Sequence, residues 1–163
     1  MRQEVRLFRT QTGLVVASVS FVPQRGFFMD GWTTVLPEDA WSAAEVGEAV
    51  LAGLEHGGTI TFEDLPPLGG TGATPASLAL GYETENALLA AGAAHVVVWI
   101  KKGTWWVTPM VNEGAGRGWA GHADAPAVSH EGEHWPAEDL GASVNAALDT
   151  VVAIRLALDG AAG

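Results

Sequence analysis

Runs of apolar and β-branched residues, each bounded by turn-forming residues, predict the strands of a sheet. These runs cover residues 5–8, 14–22, 27–36, 94–101 and 104–111. The turn sequences Gln11-Thr12-Gly13 and Lys102-Gly103 join the first two runs and the last two, so we expect two β-hairpins. Residues 94–101 are apolar enough for a central strand. A shorter β-branched run at residues 59–62 is a further candidate strand.

A four-residue spacing of branched apolar side chains predicts two helices whose sequences nearly repeat each other. Residues 45–54 and 139–148 share the order acid, branched apolar residue, Gly, two variable positions, Val, one variable position, Ala, small residue, Leu. In a helix this spacing forms one apolar stripe. A Gly inside a helix costs about 1 kcal/mol relative to Ala, so Gly47 and Gly141 predict close approach of each helix to a sheet or to a partner helix. Chance similarity in a chain with 21 Gly residues is the alternative.

Capping residues set the limits of three predicted helices. Ser42 is the expected N-cap of the first helix, in a capping box with Glu45. Thr84 caps the second helix, and Pro136 lies at the start of the third. The predicted helices cover residues 43 to about 55, 85 to about 91, and from about 136 to 156 or beyond.

The order of these elements predicts an α+β fold. We expect a single domain over residues 1–163, with a mainly antiparallel sheet flanked by about three helices. Two Gly-rich segments, residues 63–75 and 112–134, are expected to be loops. The glycines of residues 63–75 are not followed by the Lys and Ser or Thr of a phosphate-binding loop, and we expect no cofactor.

The chain is strongly acidic, with 19 Asp and Glu against 8 Lys and Arg and a formal net charge of −11. Nucleic acids and anionic membranes attract basic surfaces, so neither is an expected partner. The acidity suits either simple solubility or the electrostatic attraction of a basic protein. The absence of Cys excludes disulfides and a thiol nucleophile. The N-terminal residues form no signal-peptide core, and no apolar run is long enough to span a membrane, so we expect a cytoplasmic protein.

One segment has the letters of a catalytic metal site. His130-Glu131-Gly132-Glu133-His134 matches the H-E-x-x-H signature of zinc proteases. That signature requires a helix, so that both His side chains face one metal ion while the Glu acts as base. Gly132 at the centre, and Pro136 soon after His134, oppose a helix here. We therefore expect a solvated loop without bound metal, and a zinc-dependent hydrolase is the alternative function.

Three further segments carry a family resemblance. They are Gly31-Trp32-Thr33-Thr34-Val35-Leu36-Pro37 before the first repeat helix, Gly81-Tyr82-Glu83-Thr84-Glu85-Asn86-Ala87-Leu88-Leu89 before the second hairpin, and Asp139-Leu140-Gly141 opening the last helix. In this order they resemble the immunity proteins of contact-dependent growth inhibition (CdiI) systems. The resemblance covers most of residues 31–152. It implies a compact antiparallel sheet flanked by helices, and a protein that is not an enzyme but binds and blocks a toxin, typically a nuclease.

The chain departs from the family at two places. The family tends to place Lys or Arg after Gly-Tyr, where this chain has Glu83 and Glu85. The second half of residues 112–134 matches no part of the family pattern. An orphan protein-binding module of the same fold, with a different role, is a further alternative.

An immunity role predicts a surface that occludes the active site of the toxin. Acidic residues would occupy the positions of phosphates and attract a basic toxin domain, while a Trp or Tyr anchors the centre of the interface. The expected toxin-binding residues are Asp39, Glu63, Asp64, Tyr82, Glu83, Glu85 and Trp119. An uncovered edge in the hairpin region offers pairing either to a strand of the partner or to a second copy of the chain as a homodimer.

Overall fold

The computed structural model describes residues 1–162, and its centre is one antiparallel sheet with helices on both faces. The seven strands are β1 (Gln3–Arg9), β2 (Leu14–Val22), β3 (Gly26–Leu36), β4 (Ala94–Lys101), β5 (Thr104–Asn112), β6 (Trp119–Ala120) and β7 (Val128–Glu131). The order across the sheet is β3-β2-β1-β4-β5. Both β6 and β7 pair with the edge of β5 that faces away from β4. The predicted α+β class is confirmed.

Four helices accompany the sheet: α1 (Ala43–His56), α2 (Pro75–Ala79), α3 (Glu85–Ala90) and α4 (Ala137–Ala162). The hydroxyl of Ser42 accepts a hydrogen bond from the backbone N–H of Glu45, which confirms the predicted N-cap of α1. Thr84 caps α3 in the same way. The short helix α2 was not among the predicted helices, because its single turn follows directly on a loop rich in Gly and Pro.

The helices α1 and α4 lie side by side on one face of the sheet and enclose the main core. Their apolar stripes are buried against the side chains that β1, β2, β4 and β5 direct to this face. The stripe residues are Val46, Val50, Leu54, Leu140, Val144 and Leu148. Burial of these side chains is worth about 1.5–3 kcal/mol each, so the contact of the two helices with the sheet supplies a large share of the stability.

The two repeat glycines lie where α1 and α4 touch. A Cβ atom at Gly47 would lie 1.7 Å from the carbonyl oxygen of Ala137, and one at Gly141 would lie 1.7 Å from the carbonyl oxygen of Ala43. Real side chains do not reach such distances, so only Gly allows the two backbones to approach this closely. The predicted close approach is confirmed, and each repeat helix is the partner of the other.

The opposite face of the sheet is covered only in part. Phe8, Val15, Ala17 and Leu88 belong to a second, smaller apolar cluster that lies under α2 and α3. Beyond this cluster, several side chains of β1, β4 and β5 on the same face are only half-buried: Arg6, Val97, Trp99, Trp106, Thr108 and Met110. This uncovered part of the sheet is where the candidate site lies.

Two predictions about connecting segments are wrong. Residues 59–62 form no strand, because Thr59 makes only a single parallel bridge to Phe21 before the chain enters a 3₁₀ turn at Phe62–Asp64. The predicted loop at residues 112–134 contains β6 and β7. Three of the four residues of β7 are exposed, so no apolar alternation marks this strand in the sequence. Its pairing depends on the free edge of β5.

Among the described residues, α4 is the one helix long and apolar enough to cross a membrane. The core helix of a soluble protein meets the same criterion of length and apolar composition. The stripe of α4 that faces α1 and the sheet is buried, whereas Leu156 and Leu158 near its end are exposed.

Candidate functional site

The uncovered part of the sheet forms a groove, which we call the open-face groove. It is defined by Glu4, Arg6, His95, Val97, Trp99 and Thr108. Strand alternation directs these side chains away from α1 and α4, because their neighbours along each strand are buried under those helices. Arg6, Val97 and Thr108 are direct neighbours across β1, β4 and β5. The groove has a volume of about 460 Å³.

A buried carboxylate holds two guanidinium groups at the groove. Glu4 is 3% exposed, and its oxygens lie 2.6 Å from Nη2 of Arg2 and 3.0 Å from Nε of Arg6. A buried carboxylate is tolerated only when it is paired, so the two arginines compensate Glu4. One negative charge against two positive charges leaves an excess of one positive charge. The side chains of Arg2 and Arg6 are 34% and 30% exposed, whereas Nε of Arg2 is buried and has no hydrogen-bond partner within the described residues.

Aromatic rings fix the position of the Arg2 side chain. Its guanidinium lies 4.5 Å from the ring centre of Trp99 and 5.3 Å from that of Phe27. Trp99 in turn stacks on Trp106, with ring centres 5.5 Å apart, and its indole N–H donates to the hydroxyl of Thr108 at 3.2 Å. Each contact restricts the rotamers available to Arg2 and Trp99. The groove therefore combines Arg and Trp, the residue types most enriched at the centres of protein interfaces.

The buried imidazole of His95 belongs to the same groove and is uncharged. Its Nδ1 atom lies 2.7 Å from the carbonyl oxygen of Leu7, which can only accept, so Nδ1 carries the proton and Nε2 is an acceptor. The ring stacks on Phe8 with ring centres 4.1 Å apart. Burial lowers the pKa of His95 to about 3. The imidazole is therefore neutral near pH 7, and the positive charge of the groove comes from Arg2 and Arg6.

Two of the seven predicted toxin-binding residues, Glu85 and Trp119, line the groove. Tyr82 and Glu83 precede Glu85 in the connection from α2 to α3, and we call these four residues the acidic rim. The indole N–H of Trp119 donates to the carboxylate of Glu85 at 2.9 Å, and both side chains line the groove. Tyr82 packs against the apolar cluster under α2 and α3, and Glu83 is exposed. The structure thus brings together residues that are 34 positions apart in the sequence.

The other three predicted residues do not line the groove. Glu63 and Asp64 lie in the 3₁₀ turn Phe62–Asp64, where both the backbone N–H and the hydroxyl of Thr61 donate to the carboxylate of Asp64. These hydrogen bonds lower the pKa of Asp64. Asp39 is exposed in the turn that joins β3 to α1.

Arg2, Glu4, Arg6 and Trp99 were not among the toxin-binding residues predicted from the sequence. A local signal exists for two of them, because Glu4 and Arg6 alternate with Val5 and Leu7 and must share one face of β1. That alternation does not show which part of the face the short helices α2 and α3 leave uncovered. The groove therefore required the tertiary structure.

Comparison with known proteins shows a shared fold. No protein-family profile and no curated protein sequence matches the chain. A chain of the CdiA-CT/CdiI toxin and immunity complex from Yersinia pseudotuberculosis is 16% identical, with a TM-score of 0.68, over 92% of this chain and 97% of that chain. The chain has the fold of a toxin and immunity complex component. A protein of unknown function from Neisseria meningitidis is 19% identical, with a TM-score of 0.67, over 91% of this chain and 94% of that chain.

The H-E-x-x-H segment is not helical in this fold. His130 and Glu131 end β7, and the ring of His130 stacks on Trp135 with ring centres 4.7 Å apart. Nε2 of His130 lies 3.1 Å from the carbonyl oxygen of His134. The carboxylate of Glu131 accepts from the hydroxyl of Thr104. Within residues 1–162, no group of three or more His, Cys, Asp or Glu side chains is placed to hold a metal ion. The arrangement that zinc proteases use requires a helix at this segment, and a strand and a turn stand in its place.

Proposed function

We propose that this chain is an immunity protein, which binds and neutralises a cognate toxin. The observation that carries the proposal is the fold shared with a chain of a toxin and immunity complex, over 92% of this chain and 97% of that one. The three segments that resemble CdiI proteins occupy β3, the connection from α2 to α3, and the first turn of α4. These segments therefore include one edge strand of the sheet and part of a helix on each of its faces. In this role the chain acts by binding and performs no chemistry.

The charge distribution supports a basic toxin, such as a nuclease. Residues 38–56 and residues 131–149 each contain five Asp or Glu and neither Lys nor Arg, and all ten of these acidic side chains are exposed. These segments include α1 and the first half of α4. A surface with one sign of charge raises the rate at which an oppositely charged partner arrives. A nuclease must present basic residues to nucleic acid, and an acidic protein can occupy the same surface in the cytoplasm.

We further propose that the acidic rim contacts the toxin directly. Glu83 and Glu85 supply negative charge, while Tyr82 and Trp119 supply aromatic area beside them. Acidic groups at this position would occupy the phosphate sites of a nuclease and block access of its substrate. Asp39, Glu63 and Asp64 are exposed and contribute to the attraction of the toxin from outside the groove.

The proposal is tested by expressing the tagged chain together with the C-terminal domain of a large secreted protein encoded directly upstream. We expect the two proteins to co-purify, and we expect cells that make both to grow while cells that make the C-terminal domain alone do not. Each protein expressed without the other, and an unrelated acidic protein of similar size, provide the controls. Co-expression with neither a complex nor restored growth would refute the immunity function.

A further inference from the structure

We propose that the open-face groove receives an acidic side chain of the toxin, which the guanidinium groups of Arg2 and Arg6 hold. This inference rests on the immunity function proposed above. In addition to the acidic surface that attracts basic residues of the toxin, the chain then has a basic site for an acidic residue of the toxin. The partner would place a single Asp or Glu into the groove while its basic residues face the acidic rim.

The guanidinium groups of Arg2 and Arg6 are only partly compensated by acidic side chains. Arg9 and Arg155 each face an acid of their own, at 2.7 and 2.9 Å. By contrast, Arg2 and Arg6 share the one carboxylate of Glu4. The cluster of Arg2, Glu4 and Arg6 therefore carries one excess positive charge, while Glu85 at the end of the groove is held by the indole N–H of Trp119. A carboxylate of the partner would complete this cluster.

The guanidinium groups of Arg2 and Arg6 are already held in place before a ligand binds. The Arg2 guanidinium is fixed by Glu4 and lies over the ring of Trp99, and the Nε of Arg6 is fixed by the same carboxylate. Side chains that are already ordered lose little conformational entropy when a ligand binds. A guanidinium presents its N–H groups as a planar fork that matches a carboxylate, and such charged hydrogen bonds are among the stronger ones in proteins.

The acids close to the two arginines favour a protein carboxylate over nucleic acid as the occupant of the groove. Glu85 lines the same groove as Arg2 and Arg6, and Glu83 is exposed close to it in the sequence. A chain of phosphates would pass these acids and meet repulsion along its length. A single acidic side chain of a basic toxin would contact the two arginines. The basic residues around it on the toxin would contact Glu83 and Glu85 of this chain. The charge pattern thus favours the toxin as the occupant.

The groove is tested with purified proteins by measuring the affinity of the toxin domain for the chain and for its variants. We expect Arg2→Gln and Arg6→Gln to weaken binding by about tenfold or more, because each removes one of the charged partners of the carboxylate. Arg9→Gln is the matched control. It removes the same charge from the same strand, but Arg9 faces Asp149 of α4 on the other side of the sheet, so we expect a change within about twofold.

A second pair of variants leaves both arginines in place, because loss of an arginine also weakens the compensation of Glu4. Val97 is the direct neighbour of Arg6 on β4 and lines the groove. We expect Val97→Glu to fill the site with a carboxylate of its own and to abolish most binding. Val97→Gln, which has the same shape without the charge, should bind much more tightly than Val97→Glu. Melting curves of all variants identify any loss of folding.

The outcomes separate the two proposals. Tight binding by the wild type with weaker binding by the Arg2, Arg6 and Val97→Glu variants supports the groove. Tight binding by the wild type and by all folded groove variants alike would overturn the groove and leave the immunity function standing. A wild type that binds no toxin domain would overturn the immunity function and the groove together.

Discussion

His95 donates its Nδ1–H to the carbonyl of Leu7 and stacks on Phe8, and burial keeps the ring neutral. Burial lowers its pKa to about 3, whereas a His in an unfolded chain titrates near its ordinary value of 6.5. Between these values only the unfolded chain takes up the proton. The free energy of unfolding therefore falls as the pH is lowered from about 6.5 towards 3, and this contribution is fully present only above 6.5.

We expect replacement of His95 to remove this part of the pH dependence. Asn is the suitable substitution, because its side-chain NH₂ can still donate to a nearby carbonyl but does not titrate. The difference in unfolding free energy between wild type and His95→Asn should shrink as the pH falls, with a slope approaching ~1.4 kcal/mol per pH unit. Urea denaturation at several pH values between about 4 and 7 measures this difference. A difference that stays constant with pH would show that His95 takes up its proton as readily in the folded protein as in the unfolded chain.

Residues whose role is local were the ones that the sequence could identify. Ser42 and Thr84 cap their helices through the backbone N–H three residues later, so the cap is contained in four consecutive residues. Glu85 and Trp119 were both named as candidates, but their hydrogen bond exists only because β6 pairs with the end of β5. The Arg2, Glu4 and Arg6 cluster was missed because its meaning depends on what covers β1.

At the scale of elements, the internal repeat describes a helix pair. Gly47 and Gly141 occupy the same position in the two repeats, and each faces the backbone at the start of the opposite helix. The symmetry of the contact explains why the Gly recurs: one helix cannot approach closely unless the other also lacks a side chain there. The periodicity of apolar residues and the cost of a helical Gly were enough to predict this contact, because both are properties of the helices themselves.

We expect Gly47→Ala and Gly141→Ala to destabilise the protein. The added methyl group would overlap a carbonyl oxygen, which must move, and overpacking of this kind costs about 1–3 kcal/mol or more. At this chain length each kcal/mol lowers the Tm by roughly 2–4 °C. Gly160→Ala is the control, because nothing lies within 4 Å of a Cβ at this position of α4. Thermal unfolding measures all three variants. A Gly141→Ala protein as stable as the control would contradict the close helix contact.

The pairing of β6 and β7 with the outer edge of β5 could not be predicted from the sequence pattern. β7 pairs with Thr104–Val107 and β6 with residues 111–112, which leaves Pro109 in the gap between them. Pro has no N–H to donate, so this gap is where it fits. Neither β6, with two residues, nor the mostly exposed β7 has an alternating pattern long enough to predict. Their positions follow from the edge that β5 offers.

At the scale of the whole molecule, the charges are separated. The side of α1 and α4 carries the two acidic segments, whereas the open-face groove holds a local positive charge beside the acidic rim. Long-range attraction of a basic toxin is a property of the summed charge, and salt at physiological concentration screens it beyond about 8 Å. Contacts inside the groove are partly shielded from that screening. We therefore expect salt to slow association more than it speeds dissociation.

The measurement that tests this account most directly is a titration of the purified chain with the purified toxin domain encoded upstream, at low and at physiological salt. We predict a complex of one chain with one toxin domain and a Kd of about 10⁻⁹ M or tighter at low salt. The association rate should fall as the salt concentration rises. No detectable complex with both proteins at micromolar concentration would contradict the immunity function, whatever the fold resembles.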